Sequence, residues 1–297
     1  MITPAYGLTA TERVLPNFAL DWTTGLAQDA VDVTRAGVAT FVGSNGLIQS
    51  ASADTQRIDY STGTAGLLVE ESRTNLVLQS QAFGTSPWAN AATNAVVTEN
   101  TTTSPDGTPN ADTLTPVANT GAHFIFQTIT ASSGNTRVYS VFAKKNTHDF
   151  IQFSFSTYLT HFVNFNLATG VVGNVNGSGT SASMVDVGNG WYRCVFVYPS
   201  ATENQIRIAL VTSNTATRLE SWAAAGTETV FLWGAQLEAG AFPTSYIPTT
   251  TTAVTRNADV ATVTGTNFSD FYNATEGTFA SRFIFGTDKI GTRGALA

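Results

Sequence analysis

One cysteine and three histidines in 297 residues leave little material for a metal centre or a disulfide framework. A structural zinc site takes four Cys or His ligands in close pairs, and His123, His148 and His161 have no such spacing. No metal and no cofactor is therefore expected, and Cys194 has no partner in its own chain. Cations are scarce as well. Fourteen Lys and Arg stand against 21 Asp and Glu, a net charge of −7, and the one adjacent basic pair is Lys144-Lys145. Gripping nucleic acid by its phosphates takes clustered cations, so that role is not expected. No segment approaches the roughly 18 uninterrupted apolar residues of a membrane helix, so no membrane insertion is expected. The opening MITPAYGLTATERV has neither the basic start nor the apolar run of a secretory signal peptide. GxSxG, HExxH, P-loop and CxxC patterns are all missing, and Gly188-Asn189-Gly190 precedes a strand candidate instead of a helix. No catalytic residue stands out.

What is present is a chain poor in charge, 12% against roughly 25% in typical soluble domains, and rich in Thr, Ala, Asn, Ser and Gly. That composition gives a neutral, hydroxyl-rich surface, and the length fits about two domains. From Phe83 onward, strand candidates recur at the spacing of a β-sandwich or jelly roll. They are His123 to Thr130, Arg137 to Ala143, Phe150 to Ser156, His161 to Leu167, Ser183 to Val187, Trp191 to Tyr198, Gln205 to Thr212 and Val230 to Glu238. Ile151, Phe153 and Phe155 alternate with Gln152, Ser154 and Ser156, which predicts one dry face and one wet one. Trp191 to Tyr198 is apolar almost throughout and reads as a central strand, with Cys194 a small buried hydrophobe inside it. In the closing strand, Val230, Leu232, Gly234 and Gln236 alternate with Phe231, Trp233, Ala235 and Leu237. Thr217 to Ala225 is the best helix candidate, equally readable as a loop, and no heptad pattern supports a coiled coil.

The fold class expected is all-β: a jelly-roll-like antiparallel sandwich over residues 82–248, an irregular β-containing arm before it and a further module begun after it. In the arm, residues 1–81, glycines and prolines break every apolar run. Phe18 to Trp22, Val38 to Val42 and Gly66 to Glu70 remain as strand candidates, with Ser44-Asn45-Gly46 as a hairpin turn. So broken a segment buries too little apolar surface by itself, so it must lie on this chain's sandwich or on another subunit, and it should look unsupported in an isolated monomer. Its dense polar cluster is Glu70, Glu71, Arg73 and Asn75. Adjacent carboxylates on an extended chain point to opposite faces, so Glu70 and Glu71 cannot act as one acid and base pair. The expected roles are structural: Arg73 clamps a carboxylate or carbonyl, and Asn75 ties down a turn. Residues 249–297 read as a Thr-rich linker or an added strand through Val254, Val260 and Val263.

Several strings resemble a β-sandwich group from tailed-phage fibre and head-spike proteins. They are PAYGLTATERVLPNFALDWTTG, GLLVEESRTNLVLQSQAF, GNGWYRC and LWGAQLEAGAFPTSYIPTTTTAVTRNAD, in that order. Gly277 to Phe285, after Phe268, Phe271 and Tyr272, is similar to the first strand of a concanavalin-like lectin module. The resemblance implies a non-enzymatic virion surface component, made in the host cytoplasm, with sister subunits in a trimer and capsid or tail proteins as partners. It carries over no active-site residue. Recognition of host-surface glycan is the functional class left, since rings that stack on a pyranose and amides that bond its hydroxyls are both present. The rings are Trp88, Phe124, Phe126, Tyr158, Trp191, Tyr192, Trp222 and Trp233, with Asn164, Asn166, Gln152 and Arg207 near them in strand terms. Tyr158 and Trp222, beside loops, with Asn164 and Asn166, are the candidate glycan-binding residues. The alternatives are a carbohydrate-binding module of a larger secreted enzyme or adhesin, and a polysaccharide depolymerase.

Overall fold

The computed structural model describes residues 16–26, 28–88, 94–129, 136–156, 159–199 and 205–282. Short strands come first: β1 Asp32–Thr34, β2 Ala39–Val42, β3 Ile48–Ala51, β4 Ile58–Asp59, β5 Gly66–Leu67 and β6 Arg73–Asn75. The sandwich follows, with β7 Ala95–Thr102, β8 Ala111–Pro116, β9 Thr120–Gly121, β10 His123–Thr128, β11 Thr136–Lys145, β12 Phe150–Phe155 and β13 Phe162–Asn166. It continues through β14 Val171–Asn176, β15 Ser181–Asp186, β16 Trp191–Pro199, β17 Gln205–Leu210, β18 Trp222–Ala223 and β19 Val230–Ala239. Last come β20 Val254–Arg256, β21 Val260–Thr262 and the short helix α1 Thr266–Ser269.

Two antiparallel sheets form the sandwich, a five-stranded one in the order β10-β17-β12-β13-β14 and a six-stranded one in the order β15-β16-β11-β19-β8-β7. All the expected sandwich strands form, and β16 lies inside its sheet as its apolar sequence predicts. Three more, β7, β8 and β14, are too polar to announce themselves. Between the sheets, Tyr139 lies 4.6 Å from Phe153 and Tyr198 lies 4.2 Å from Phe155, ring centre to ring centre. Cys194 belongs to this core, and burial pushes its thiol pKa up, away from reactivity. Gln152 and Ser154 point away from the core, yet both are fully buried, so the wet face expected of β12 is covered.

The closing strand departs from strict alternation. Ser140 pairs with Gln236 but Phe142 with Trp233, a register shift that places one extra residue in β19. Gly234 takes up the bulge at φ +62, where an added Cβ would lie 2.9 Å from Phe142. Because the side-chain period is two, one extra residue reverses the facing of everything after it. Val230 and Leu232 therefore share the inner face with Ala235 and Leu237, against the expected pairing. Gln236 and Glu238 are turned outward, where they hold the segment that follows. Gln236 Oε1 accepts from Ile247 N at 2.6 Å, and Glu238 accepts from both the backbone and the hydroxyl of Thr244.

The arm lies on this chain's own sandwich, over the outer face of the six-stranded sheet. Phe142, Trp191, Trp233 and Tyr246 form an aromatic cluster there, and Ile48 of the β2–β3 hairpin packs on it. Leu76 N donates to Leu237 O at 2.9 Å, and Thr40 Oγ1 donates to Tyr246 O. The post-sandwich segment adds strands to the arm, β20 on β6 and β21 on β1. The arm is thus supported within one chain from Gln28 on, contrary to the expectation for a monomer. The support comes from polar bonds that apolar periodicity does not report. Of the other expectations, Phe18 to Trp22 forms only an isolated bridge, Asp21 to Leu26, and residues 277–282 carry no strand. The rest of that last strand candidate, residues 283–285, lies outside the described residues.

Asn75 and Asp259 lock the arm in place. Fully buried, Asn75 donates to Ala235 O (3.0 Å) and Ile247 O (2.8 Å) and accepts from Val77 N and Leu237 N (both 3.0 Å). Asp259 bonds Arg35 Nη1 at 2.8 Å, Arg57 Nη2, and Glu70 N at 2.9 Å. Glu70 in turn takes Arg57 Nη1 at 2.7 Å and both the N–H and hydroxyl of Ser245 at 2.7 Å. Arg256 closes the cage, its Nε 3.5 Å from Glu70. Glu71, side chain 60% exposed against 12% for Glu70, points the other way and pairs with Arg73.

Asn75→Ala would leave two buried carbonyls and two buried N–H groups without a partner. It is expected to lower stability by about 3 to 5 kcal/mol in urea titration. A loss under about 1 kcal/mol would contradict the bonding described. Burial alone would raise the Asp259 carboxyl pKa, but hydrogen bonds from Arg35 and from the Glu70 N–H, with the Arg57 charge, hold it below the usual carboxylate range. A depressed folded-state value adds stability that is present above roughly pH 4 and lost as pH falls through that value. Asp259→Asn is expected to flatten the acid limb of the stability curve and to cost about 3 to 5 kcal/mol at neutral pH. An acid limb as steep as that of the unsubstituted chain would refute it.

Candidate functional site

The outer face of the five-stranded sheet is built by residues that alternate with the core positions of β10, β17, β12 and β13. Register fixes two rows across it. Phe124, Ala209, Gln152 and Asn164 pair laterally in one row, and Phe126, Arg207, Ser154 and Phe162 in the next. The first row is capped by the segment between β17 and β18. Asn164 Nδ2 donates to Asn214 O (3.1 Å) and Ala216 O (2.8 Å), and its Oδ1 accepts from Gln152 Nε2 (2.8 Å). Gln152 Nε2 also donates to Thr217 O (3.0 Å), and its Oε1 accepts from Leu219 N (2.8 Å). This capping explains why Gln152 is buried. It also excludes the helix considered for Thr217 to Ala225. The Leu219 N–H is already committed to Gln152, φ of Leu219 is 48°, and Trp222–Ala223 pairs with β9 instead.

Beyond the cap, the second row is more open. Phe126 is half-buried at the sheet edge, and the Arg207 guanidinium lies 5.0 Å from the Phe124 ring centre and 6.0 Å from that of Phe126. Arg207 Nη2 donates to Gln205 Oε1 at 2.9 Å, and Arg218 Nη2 reaches Phe155 O. Ser154 Oγ is fully buried beneath this layer and has no partner among the described residues, and neither do Nε of Arg207 or Nε of Arg218. Burial lowers the pKa of both guanidiniums, and the neighbouring charge of Arg218 lowers that of Arg207 further. Flat rings, planar cations and an amide meet at this end of the face, above the buried Ser154 hydroxyl.

Of the four residues singled out for glycan binding, Asn164, Asn166 and Trp222 are described, and each has its polar group engaged within the protein. Asn164 lies on this face, but its amide is consumed by the cap. Asn166 accepts from Ala168 N (2.9 Å) and Thr169 N (3.2 Å), forming the turn into β14. Trp222 stacks on His148 at 5.6 Å, meets His123 edge-on at 4.9 Å and donates Nε1–H to Leu210 O, beside the opposite end of β10 from Phe126. Tyr158 lies outside the described residues. Arg218 and Gln205 escaped the sequence reading. Arg207, Phe124 and Phe126 were within its vocabulary, but only the cross-strand register joins them.

No protein-family model matches the chain, and no curated protein does. Among solved structures the chain is similar to TmCBM61 in complex with beta-1,4-galactotriose, at 13% identity and a TM-score of 0.34. That likeness spans 56% of this chain and 99% of the other. It is also similar to the enzymatically active domain of tailspike protein 4 of bacteriophage CBA120, at 14% identity and a TM-score of 0.32. Here 55% of this chain and 21% of the other are covered, and at these scores neither likeness assigns a function.

Proposed function

We propose that this chain is a non-enzymatic structural protein of a tailed-phage fibre or spike, displayed at the virion surface, whose sandwich recognises glycan on the host. The observation that carries the recognition is the open pair Phe126 and Arg207, with Phe124 beside it, where two rings and a guanidinium share one face. Sugars are held by such sites through ring stacking and hydroxyl bonding from a scaffold that does not reorganise. The virion role rests on the resemblance of the strings quoted above to fibre and head-spike proteins, as do the trimer of sister subunits and the capsid or tail partner. One observation favours a second reading, a carbohydrate-binding module of a larger secreted enzyme or adhesin. The arm folds onto its own sandwich, so the unit needs no virion partner to support it from Gln28 on.

Purified chain is expected to bind host cell-envelope polysaccharide in a pull-down, to release no reducing ends from it, and to elute as a trimer in light scattering. Phe126→Ala, at a half-buried ring, is expected to keep the fold and weaken binding about tenfold, as loss of a stacked ring does. Binding unchanged by that substitution would remove the face from the account. A monomer that binds would favour the module reading, and released reducing ends would establish an enzyme.

A further inference from the structure

Four of the described arginines are neutralised by a carboxylate. Arg35, Arg57, Arg73 and Arg256 each meet a carboxylate, and Arg193, deep beside the arm, gives Nη1 to Thr244 O at 2.8 Å. Arg207 and Arg218 differ. Among the described residues no carboxylate pairs with either, although acidic side chains outnumber basic ones in the chain by 21 to 14. Arg218 Nη2 reaches the carbonyl of Phe155, whose register partner Ile206 neighbours Arg207, and among the described residues each spends only Nη2 on the protein, Arg207 on a glutamine oxygen and Arg218 on that carbonyl. Two partly desolvated like charges with no anion beside them among the described residues are unfavourable in the free protein. They are held there by elements that have other work: Arg207 by the ladder of β17, Arg218 by the cap that buries Gln152.

We infer that the open half of this face takes an anionic saccharide, its carboxylate or phosphate placed between Arg207 and Arg218 and its ring against Phe126. This rests on the glycan-recognition reading and adds the charge of the ligand. Planar guanidiniums bond carboxylate and phosphate through paired N–H groups, and an arriving anion relieves the repulsion between them. Among the described residues the two Nε–H groups also have no partner, so each guanidinium has a further donor for the anion. Neutral sugars gain only the ring and amide contacts.

The test titrates the full chain calorimetrically with three probes: oligogalacturonate, the same oligomer fully methyl-esterified, and a phosphate-bearing teichoic acid fragment. An acidic probe is expected to bind at least about tenfold more tightly than the ester, the preference shrinking at high salt. Arg207→Gln with Arg218→Gln is expected to abolish the preference. Arg207→Lys with Arg218→Lys, which keeps the charge and loses the fork, is expected to retain part of it, and thermal unfolding checks that both fold. The carboxylate and phosphate arms show which acid the site prefers. Equal binding of acid and ester would overturn the inference and leave glycan recognition standing. A preference that survives both double substitutions would overturn its location. Binding of no probe, with envelope binding intact, would overturn the inference alone, and loss of both would overturn the recognition reading as well.

Discussion

Asp259, buried among Arg35, Arg57 and Arg256, is the constraint on which the rest of the architecture depends. Arginines buried to this degree are tolerable only with their counter-charge in place, since a lone buried ion carries a desolvation penalty of several kcal/mol. The counter-charge comes from near the far end of the described chain, Glu70 from the arm and its partner Ser245 from the end of the sandwich, so the cage forms only when arm, sandwich and post-sandwich segment are all positioned. Such a network is a weak source of net stability and a strong source of specificity, because wrong registers strand a charge. In this protein the specified register is that of β20 on β6 and β21 on β1.

Two of the strings quoted from the sequence supply most of this joint. Glu70, Arg73, Asn75 and Ser80 come from one of them, and Gln236, Glu238, Ser245, Tyr246, Thr249, Arg256 and Asp259 from another. Arg193 of the GNGWYRC string reaches the same region, bonding Thr244 O. The sequence is legible there because buried polar side chains admit few substitutes, whereas core positions admit any hydrophobe of suitable size. Strand existence was legible from alternation for the same reason in reverse: β12, β13 and β17 carry rings and branched aliphatics at every second position. The facing of β19 beyond Gly234 was not, since a single bulge reverses parity without changing composition.

The proposed recognition face was legible only in part, and the physical reason is register. Phe124 and Phe126 come from one strand, Arg207 from a distant one and Arg218 from a segment whose Leu and Ala content suggested a helix. Nothing local unites them until β17 is placed between β10 and β12. Conversely, Asn164 had the right chemistry and the right face, but the cap occupies its amide, a use no local pattern reveals. The two ends of the argument meet in the scaffold. One sheet, backed by the shared core and by the sheet that the arm overlies, holds cations and rings still enough for recognition.

Native-state hydrogen exchange tests the central claim most directly. If the caged Asp259 joins arm and sandwich into one cooperative unit, the amides of Leu76 in the arm and those of β17, between β10 and β12 in the other sheet, exchange through the same opening, with equal free energies and equal dependence on denaturant. Protection of β17 that persists while Leu76 exchanges through a smaller, separate opening would contradict it.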